Sequence, residues 1–519
     1  MIYVMPAPAA SASDATTTQL PRHVGVLIAG AGFSGIGLAV RLQQSGYKDF
    51  LVIERAESVG GTWRDNHYPG AACDVPSNLY SFSFAPNPNW SRAFSPQKEI
   101  HNYLIHTADK FKINNRIVLN TTMESATWDS DRDVWVVKTS RGEFTATIFV
   151  SAVGALSEPA LPEIKGIETF KGKFFHSAQW DHDTSLAGKK VAVIGTGASA
   201  IQIVPELVKV VEKVDIYQRT PPWIMPRGDR PYSDVERAIY KWFPLSQQFS
   251  RLGMYLMREC GVWGLVKNPE ILTMMRQQAS AFIAYQVKSP ELRRKVTPTW
   301  QIGCKRILIS NDWYPALQKP NAELVTEGIA EIREHSVVTK DGKEREVDAI
   351  VVATGFHTAD HPIADKIVGS NGRSLHQVWA ETGNEVYKGT TIAGFPNLFF
   401  MTGPNTGLGH TSQIYMIESQ VNYVISALNA MKRFGLATVE VRKDKQDSYN
   451  KDVQEALKTT VWSTGGCSSW YQNAHGKNVS LWPNYTFVYR NMTRQFDLEA
   501  YLSTALADKP AGRPASLIA

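Results

Sequence analysis

Cysteine is scarce in this chain, and the four present, Cys73, Cys260, Cys304 and Cys467, stand far apart in 519 residues. No CxxC occurs and no Cys/His pair falls at metal-ligand spacing, which excludes a local zinc site and a redox-active dithiol and argues against a disulfide framework. The four are read as mostly ordinary buried thiols of a protein from the reducing cytoplasm. Long apolar runs are missing too: no stretch reaches the roughly 18 residues a spanning helix needs. Nor is charge of one sign gathered anywhere. Fifty-five Lys and Arg against 49 Asp and Glu leave only +6, and short basic stretches such as ELRRKV read as a solvated helix face rather than a nucleic-acid footprint. The first 22 residues lack the basic start and apolar centre of a secretion signal. Rich in Ala, Pro, Ser and Thr, they read as a disordered leader, and residues 505–519 as a disordered tail.

What the chain does have is length for several domains, an ordinary globular share of 43% hydrophobic and 20% charged residues, and glycine in two telling places. HVGVLIAGAGFSGIGLAVRLQQSGYKDFLVIER reads as strand, turn, helix and strand, with Gly30, Gly32 and Gly35 in GxGxxG order. The first glycine permits the tight turn, the second lets backbone approach a pyrophosphate, and the third lets helix pack on strand. The phosphates would sit at the helix N-terminus, where free N–H groups and the dipole favour negative charge. Glu54 ends the second strand 24 positions after Gly30, where a carboxylate can accept ribose hydroxyls. The glycine-rich stretch that follows, with Gly61, Thr62, Trp63, Asp74 and Tyr80, reads as a loop wrapping the cofactor.

The design repeats in KKVAVIGTGASAIQIVPELVKVVEKVDIYQRT, with Gly195, Gly197 and Ser199 in the turn and Ala200 in place of the third glycine. The same count of 24 from Gly195 lands on Arg219, followed by Thr220. An arginine can grip a 2′-phosphate that a carboxylate would repel, so the second dinucleotide is expected to be NADPH. Two such folds without a dithiol or metal motif indicate hydride transfer from NADPH to a chain-bound flavin, FAD.

The expected fold is therefore α/β: two Rossmann-like dinucleotide-binding domains with an inserted helical subdomain. The FAD domain takes residues 23–155 and 359–504, and the NADP domain 156–225 and 301–358. The insertion, 226–300, shows apolar spacing nearer 3.6 than 2, its aromatics and methionines forming a core or a partly exposed apolar face. Gly154 and Gly355, each after a strand-like run, read as hinges between the nucleotide domains.

FKGKFFHSAQWD, just ahead of the second loop, carries the resemblance that narrows the class. Phe170, Gly172, His176, Trp180 and Asp181 match a fingerprint of type I Baeyer–Villiger monooxygenases, and Gly60, Gly61, Trp63, Tyr68, Pro69, Gly70 and Asp74 match the second fingerprint of that family. The resemblance runs from about His23 to Tyr501. It implies that Arg306 is the active-site arginine, paired and positioned by Asp74, that Lys305 binds the 2′-phosphate, and that Trp470 lies over the nicotinamide. The chemistry it implies is reduction of FAD by NADPH, addition of O2 to give a C4a-peroxyflavin, and attack on a small-molecule ketone to yield an ester or lactone, with sulfide oxidation as a side activity. His176 stands ahead of the NADP fold, where an interfacial role is favoured over acid–base work; His410 is a further pocket candidate. A flavin monooxygenase acting on nitrogen or sulfur, and a non-catalytic flavin/NADP redox-binding module, are the competing readings.

Overall fold

The computed structural model describes residues 20–473 and 475–506. The proposed leader, apart from residues 20–22, and the proposed tail, apart from 505–506, lie outside the described residues.

Strand β1 (His23–Ala29) is apolar and buried from Val24 onward, the pattern of a strand covered on both faces. It pairs in parallel with β2 (Phe50–Ile53) on one side and with β3 (Gly142–Ser151) on the other. These are the centre of an eight-stranded sheet, extended by an antiparallel meander through Val134–Thr139 and Met123–Asp129. Strand Leu398–Phe400, from much later in the chain, also pairs with β3. Helix α1 (Phe33–Gln44) connects β1 to β2 and is almost wholly buried.

The second sheet is all parallel and has five strands: Ala322–Val325, β6 (Lys213–Tyr217), β5 (Lys190–Ile194), Ala349–Val352 and β4 (Lys173–His176), in that spatial order. The order reverses beside β5, which makes the end of that strand a topological switch point. Helix α2 (Ala200–Leu207) follows it.

The chain crosses between the sheets twice, side by side. Ala160 N–H donates to Gly355 O and His357 N–H to Glu158 O, and both Gly154 and Gly355 take positive φ, +74° and +92°. Residues 226–300 hold helices α3 (Asp234–Trp242), α4 (Pro244–Val262), Leu272–Gln286 and Pro290–Val296. Their large apolar side chains divide between the two alternatives: Val262, Leu272, Ile283 and Trp300 join the core, while Trp242, Phe249 and Met274 are about 70% exposed. Helix α5 (Gln413–Phe434), capped by Ser412 and ended by Gly435 at φ +60°, then packs against α1.

Candidate active site

Both glycine turns are built the same way. At Gly30, φ is +108° and an added Cβ would come 2.6 Å from Ala152 O; at Gly195, φ is +115° and the corresponding distance, to Ala353 O, is 2.5 Å. Neither position accepts a side chain, because the turn must press against the neighbouring strand at the switch point. The third positions differ. A Cβ on Gly35 would lie 1.9 Å from Gly30 O, whereas Ala200 is accommodated fully buried, so α2 stands further from its strand than α1. No side chain caps α1 or α2, and neither has an acid in its first turn. Their first N–H groups are thus left for an anion.

Around the first turn, Gly61 at φ +52° faces Gly32: a Cβ there would sit 3.1 Å from Gly32 Cα. Glu54, 5% exposed, accepts Ala31 N–H through Oε2 (2.9 Å), while its Oε1 takes Ala56 N–H and lies 3.1 Å from Arg64. It is therefore tied to the turn itself, with few lone pairs left for a ligand. Thr62 opens a short helix, Thr62–Asp65, and Trp63 Nε1 donates to Tyr80 OH at 3.0 Å. Burial raises the Tyr80 pKa, so its hydroxyl stays protonated.

At the second turn, Arg219 and Thr220 are exposed just past β6, and Lys305 Nζ donates to Thr220 Oγ1 at 3.0 Å. Burial, and then the charge of Arg219, lower the Lys305 pKa. Two cations held close together with no carboxylate paired to either, among the described residues, make a site for a multiply charged anion. Ser199 is at the N-terminus of α2, one residue before Ala200.

The two nucleotide units meet through Asp74 and Arg306. Arg306 Nε donates to Asp74 Oδ2 (2.6 Å) and Nη2 to Oδ1 (2.8 Å), while Nη1 reaches Leu408 O at 3.4 Å. Burial works against the Asp74 charge, but the charge and hydrogen bonds of Arg306 prevail and hold the carboxyl below its ordinary pKa. The Asp74 charge in turn raises the Arg306 pKa. Side-chain exposures of 26% and 30% leave the pair reachable. The loop carrying Asp74 is also bolted to α2: Gln202 bonds Ala72 through both N–H and C=O and accepts from Tyr68 OH.

These features match a known group. Residues 27–242 match the family of pyridine nucleotide-disulphide oxidoreductases. A Baeyer-Villiger monooxygenase of Pseudomonas aeruginosa is 50% identical over 492 residues, covering 94% of this chain and 93% of that one. This chain belongs to the Baeyer–Villiger monooxygenase family. Solved structures agree: oxidized steroid monooxygenase bound to NADP is 29% identical with a TM-score of 0.81 (93% of this chain, 100% of that one). OTEMO in complex with FAD and NADP is 26% identical with a TM-score of 0.83 (93% and 99%).

In this Baeyer–Villiger chain the fingerprint FKGKFFHSAQWD, whose His176 was expected to stand ahead of the second nucleotide fold, is part of that fold's sheet. Residues Lys173–His176 are the edge strand β4, in register with Ala349–Val352. Gly172 admits no Cβ, which would lie 2.4 Å from Asp348 O, and Phe170 packs beneath. His176, 1% exposed, accepts Ala178 N–H at Nδ1 (3.1 Å) and lies edge-on to Phe356. Burial lowers its pKa against the opposing pull of the Gly355 backbone, so the ring is neutral. Trp180 packs edge-on to Phe175, and Asp181 ties the next turn by accepting Asp183 and Thr184 N–H. His410 is likewise engaged, its Nε2 3.2 Å from buried Glu259.

Trp470 is 48% exposed beside Tyr471, with ring centroids 4.5 Å apart, and Tyr471 is close enough to Arg306 and Asp74 to feel their charges. Here the expectation of unpaired cysteines fails: Cys304, next to Lys305 and Arg306, forms a disulfide with Cys467, three residues before Trp470. Spacing rules detect local pairs only, and this one joins positions 163 apart. Cys73 is free and buried as expected, but Cys260 is exposed. Sequence reasoning also missed Tyr471, 1% exposed with no partner for its hydroxyl among the described residues, and Arg258, which donates to His410 O at 3.2 Å. The charge of Arg258 is felt at Asp74. Only the neighbouring Trp470 and His410 had stood out, and nothing local marks the other two.

Proposed function

We propose that this chain oxidises NADPH and inserts one atom of O2 beside the carbonyl of a small-molecule ketone, giving an ester or lactone, NADP+ and water. FAD belongs to the first unit, residues 23–155 and 359–504, where Gly30, Gly32 and Gly61 leave a cradle that Cβ atoms would fill. NADPH belongs to the second, residues 156–225 and 301–358, with Arg219, Thr220 and Lys305 on its 2′-phosphate. When bound, the flavin supplies the hydride acceptor and the centre at which oxygen is activated.

The observation that carries the reading is the Asp74–Arg306 pair at the junction of the two units. Arg306 is permanently charged, and Asp74 fixes the orientation of its guanidinium while leaving Nη1 toward Leu408. A preset cation there stabilises negative charge developing on the ketone oxygen and keeps the attacking oxygen deprotonated. The loop of Trp470 and Tyr471, pinned by the Cys304–Cys467 disulfide, supplies apolar surface that keeps water from the reacting atoms. His176 takes no part in proton transfer and serves the β4 edge.

The test follows O2 uptake, NADPH oxidation and product by gas chromatography over linear, cyclic and bulky ketones. One ester per NADPH with at least one ketone supports the assignment. NADPH oxidation indifferent to every ketone, yielding hydrogen peroxide alone, contradicts it.

A further inference from the structure

Helix α4 is packed with its polar side inward. Gln247, 4% exposed, donates to Asn78 Oδ1 and Asn87 O, and Arg251 Nη1 donates to Asn78 O and Ser81 O. Further along the same side, Tyr255 OH bonds Thr486 Oγ1 and Arg258 donates to His410 O, while Glu259, buried at the edge of the apolar stripe, accepts Thr486 N–H. The opposite side carries Leu245, Phe249, Leu252 and Leu256, exposed by 66%, 71%, 49% and 54%. Steps of four, three and four place these within an arc of roughly 60° at about 100° per residue. Trp242 (74% exposed) and Trp263 (52%) stand at the two ends of the stripe. An ordinary surface helix has the reverse polarity, and a contiguous apolar strip of this length marks a surface that something covers.

The charges around the stripe say what. Between Trp242 and Trp263 the sole acid is Glu259, which is buried, and the exposed charges flanking the stripe are Lys241 at one end and Lys267, followed by exposed Glu270, at the other. An anionic lipid surface matches both features, an aliphatic stripe for the acyl boundary and lysines and indoles for the headgroups. We propose that α4 docks this enzyme in the plane of an anionic membrane leaflet, as a helix lying on the bilayer; no helix among the described residues is long and apolar enough to cross one. The inner side of α4 reaches His410, two residues from the Leu408 carbonyl that Arg306 meets, so the docked face backs onto the active site.

The test uses the full-length protein and sucrose-loaded vesicles of phosphatidylcholine with or without phosphatidylglycerol, read by co-sedimentation. The expected result is binding to anionic vesicles that weakens with salt and on neutral ones. A Phe249→Glu/Leu252→Glu variant should lose at least about tenfold in partitioning while keeping its NADPH-dependent turnover in vesicle-free buffer. Should that variant fold poorly, quenching of the native protein's tryptophans by brominated lipid, abolished in Trp242→Phe/Trp263→Phe, decides in its place. Absence of vesicle binding by the native protein overturns the proposal. So does light scattering that shows a dimer in solution which Phe249→Glu converts to monomers, since that assigns the face to a second copy.

Discussion

Asp74 and Arg306, 232 residues apart in the chain, meet through two hydrogen bonds of 2.6 and 2.8 Å and join the two nucleotide-binding units. The geometry is bidentate, so Asp74 fixes the plane of the guanidinium as well as its charge. Arg306→Ala should leave reduction of the flavin by NADPH intact and lower ester formation by about 10²- to 10³-fold, the range for losing a charge-stabilising donor. Asp74→Asn should lower it less, since the cation remains but loses its orientation. Stopped-flow reduction together with product yield separates the two steps; equal loss of both in Arg306→Ala would mean the residue serves NADPH rather than the ketone.

Arg219 and Lys305 hold two positive charges beside Thr220 without a paired carboxylate among the described residues. Arg219→Ala should raise KM for NADPH by about 10- to 100-fold, the worth of a hydrogen bond to a charged group. KM for NADH, which lacks the 2′-phosphate, should hardly move. Steady-state kinetics with the two coenzymes checks this, and equal effects on both would remove the role.

Buried His176 is neutral, its pKa lowered below 6.5 by desolvation. The unfolded chain takes up its proton first as pH falls, so the stability this residue contributes is complete above pH 6.5 and is lost as pH drops through the lower folded value. His176→Asn keeps an acceptor for Ala178 N–H but cannot titrate. Its thermal midpoint should fall less steeply between about pH 6.5 and 5 than that of the native protein. An unchanged slope would show that the ring takes up its proton equally readily in the folded and the unfolded chain.

The Cys304–Cys467 disulfide ties the loop before Trp470 to the segment that carries Lys305 and Arg306. Cys467→Ser should destabilise the chain by about 2–4 kcal/mol and speed proteolytic cutting near Trp470. Dithiothreitol should do the same to the native protein and nothing more to the variant. A native protein indifferent to reductant under both readouts would contradict the tether.

The parts of this site that lie close together in the chain were legible in the sequence. Each glycine turn, its helix and the residue ending the next strand are set by local geometry, which is why a count of 24 from Gly195 reached Arg219 beside Thr220 and Lys305. Asp74 and Arg306 came from family likeness, since no local pattern relates positions so far apart. Glu54 directly follows β2, where the count from Gly30 puts it, but its engagement by Ala31, Ala56 and Arg64 depends on the fold. The disulfide, Arg258 and the unpartnered Tyr471 hydroxyl are likewise products of tertiary approach. Helix α4 shows a different limit: periodicity reveals an apolar stripe, but only packing reveals that it faces outward.

The most direct test of the central claim is to supply isotopically labelled dioxygen with NADPH and an accepted ketone, and to weigh the product by mass spectrometry. The account predicts an ester or lactone carrying one labelled oxygen atom, the other atom appearing in water, with one NADPH consumed per product. Unlabelled ketone recovered unchanged while all the label passes to hydrogen peroxide would contradict it.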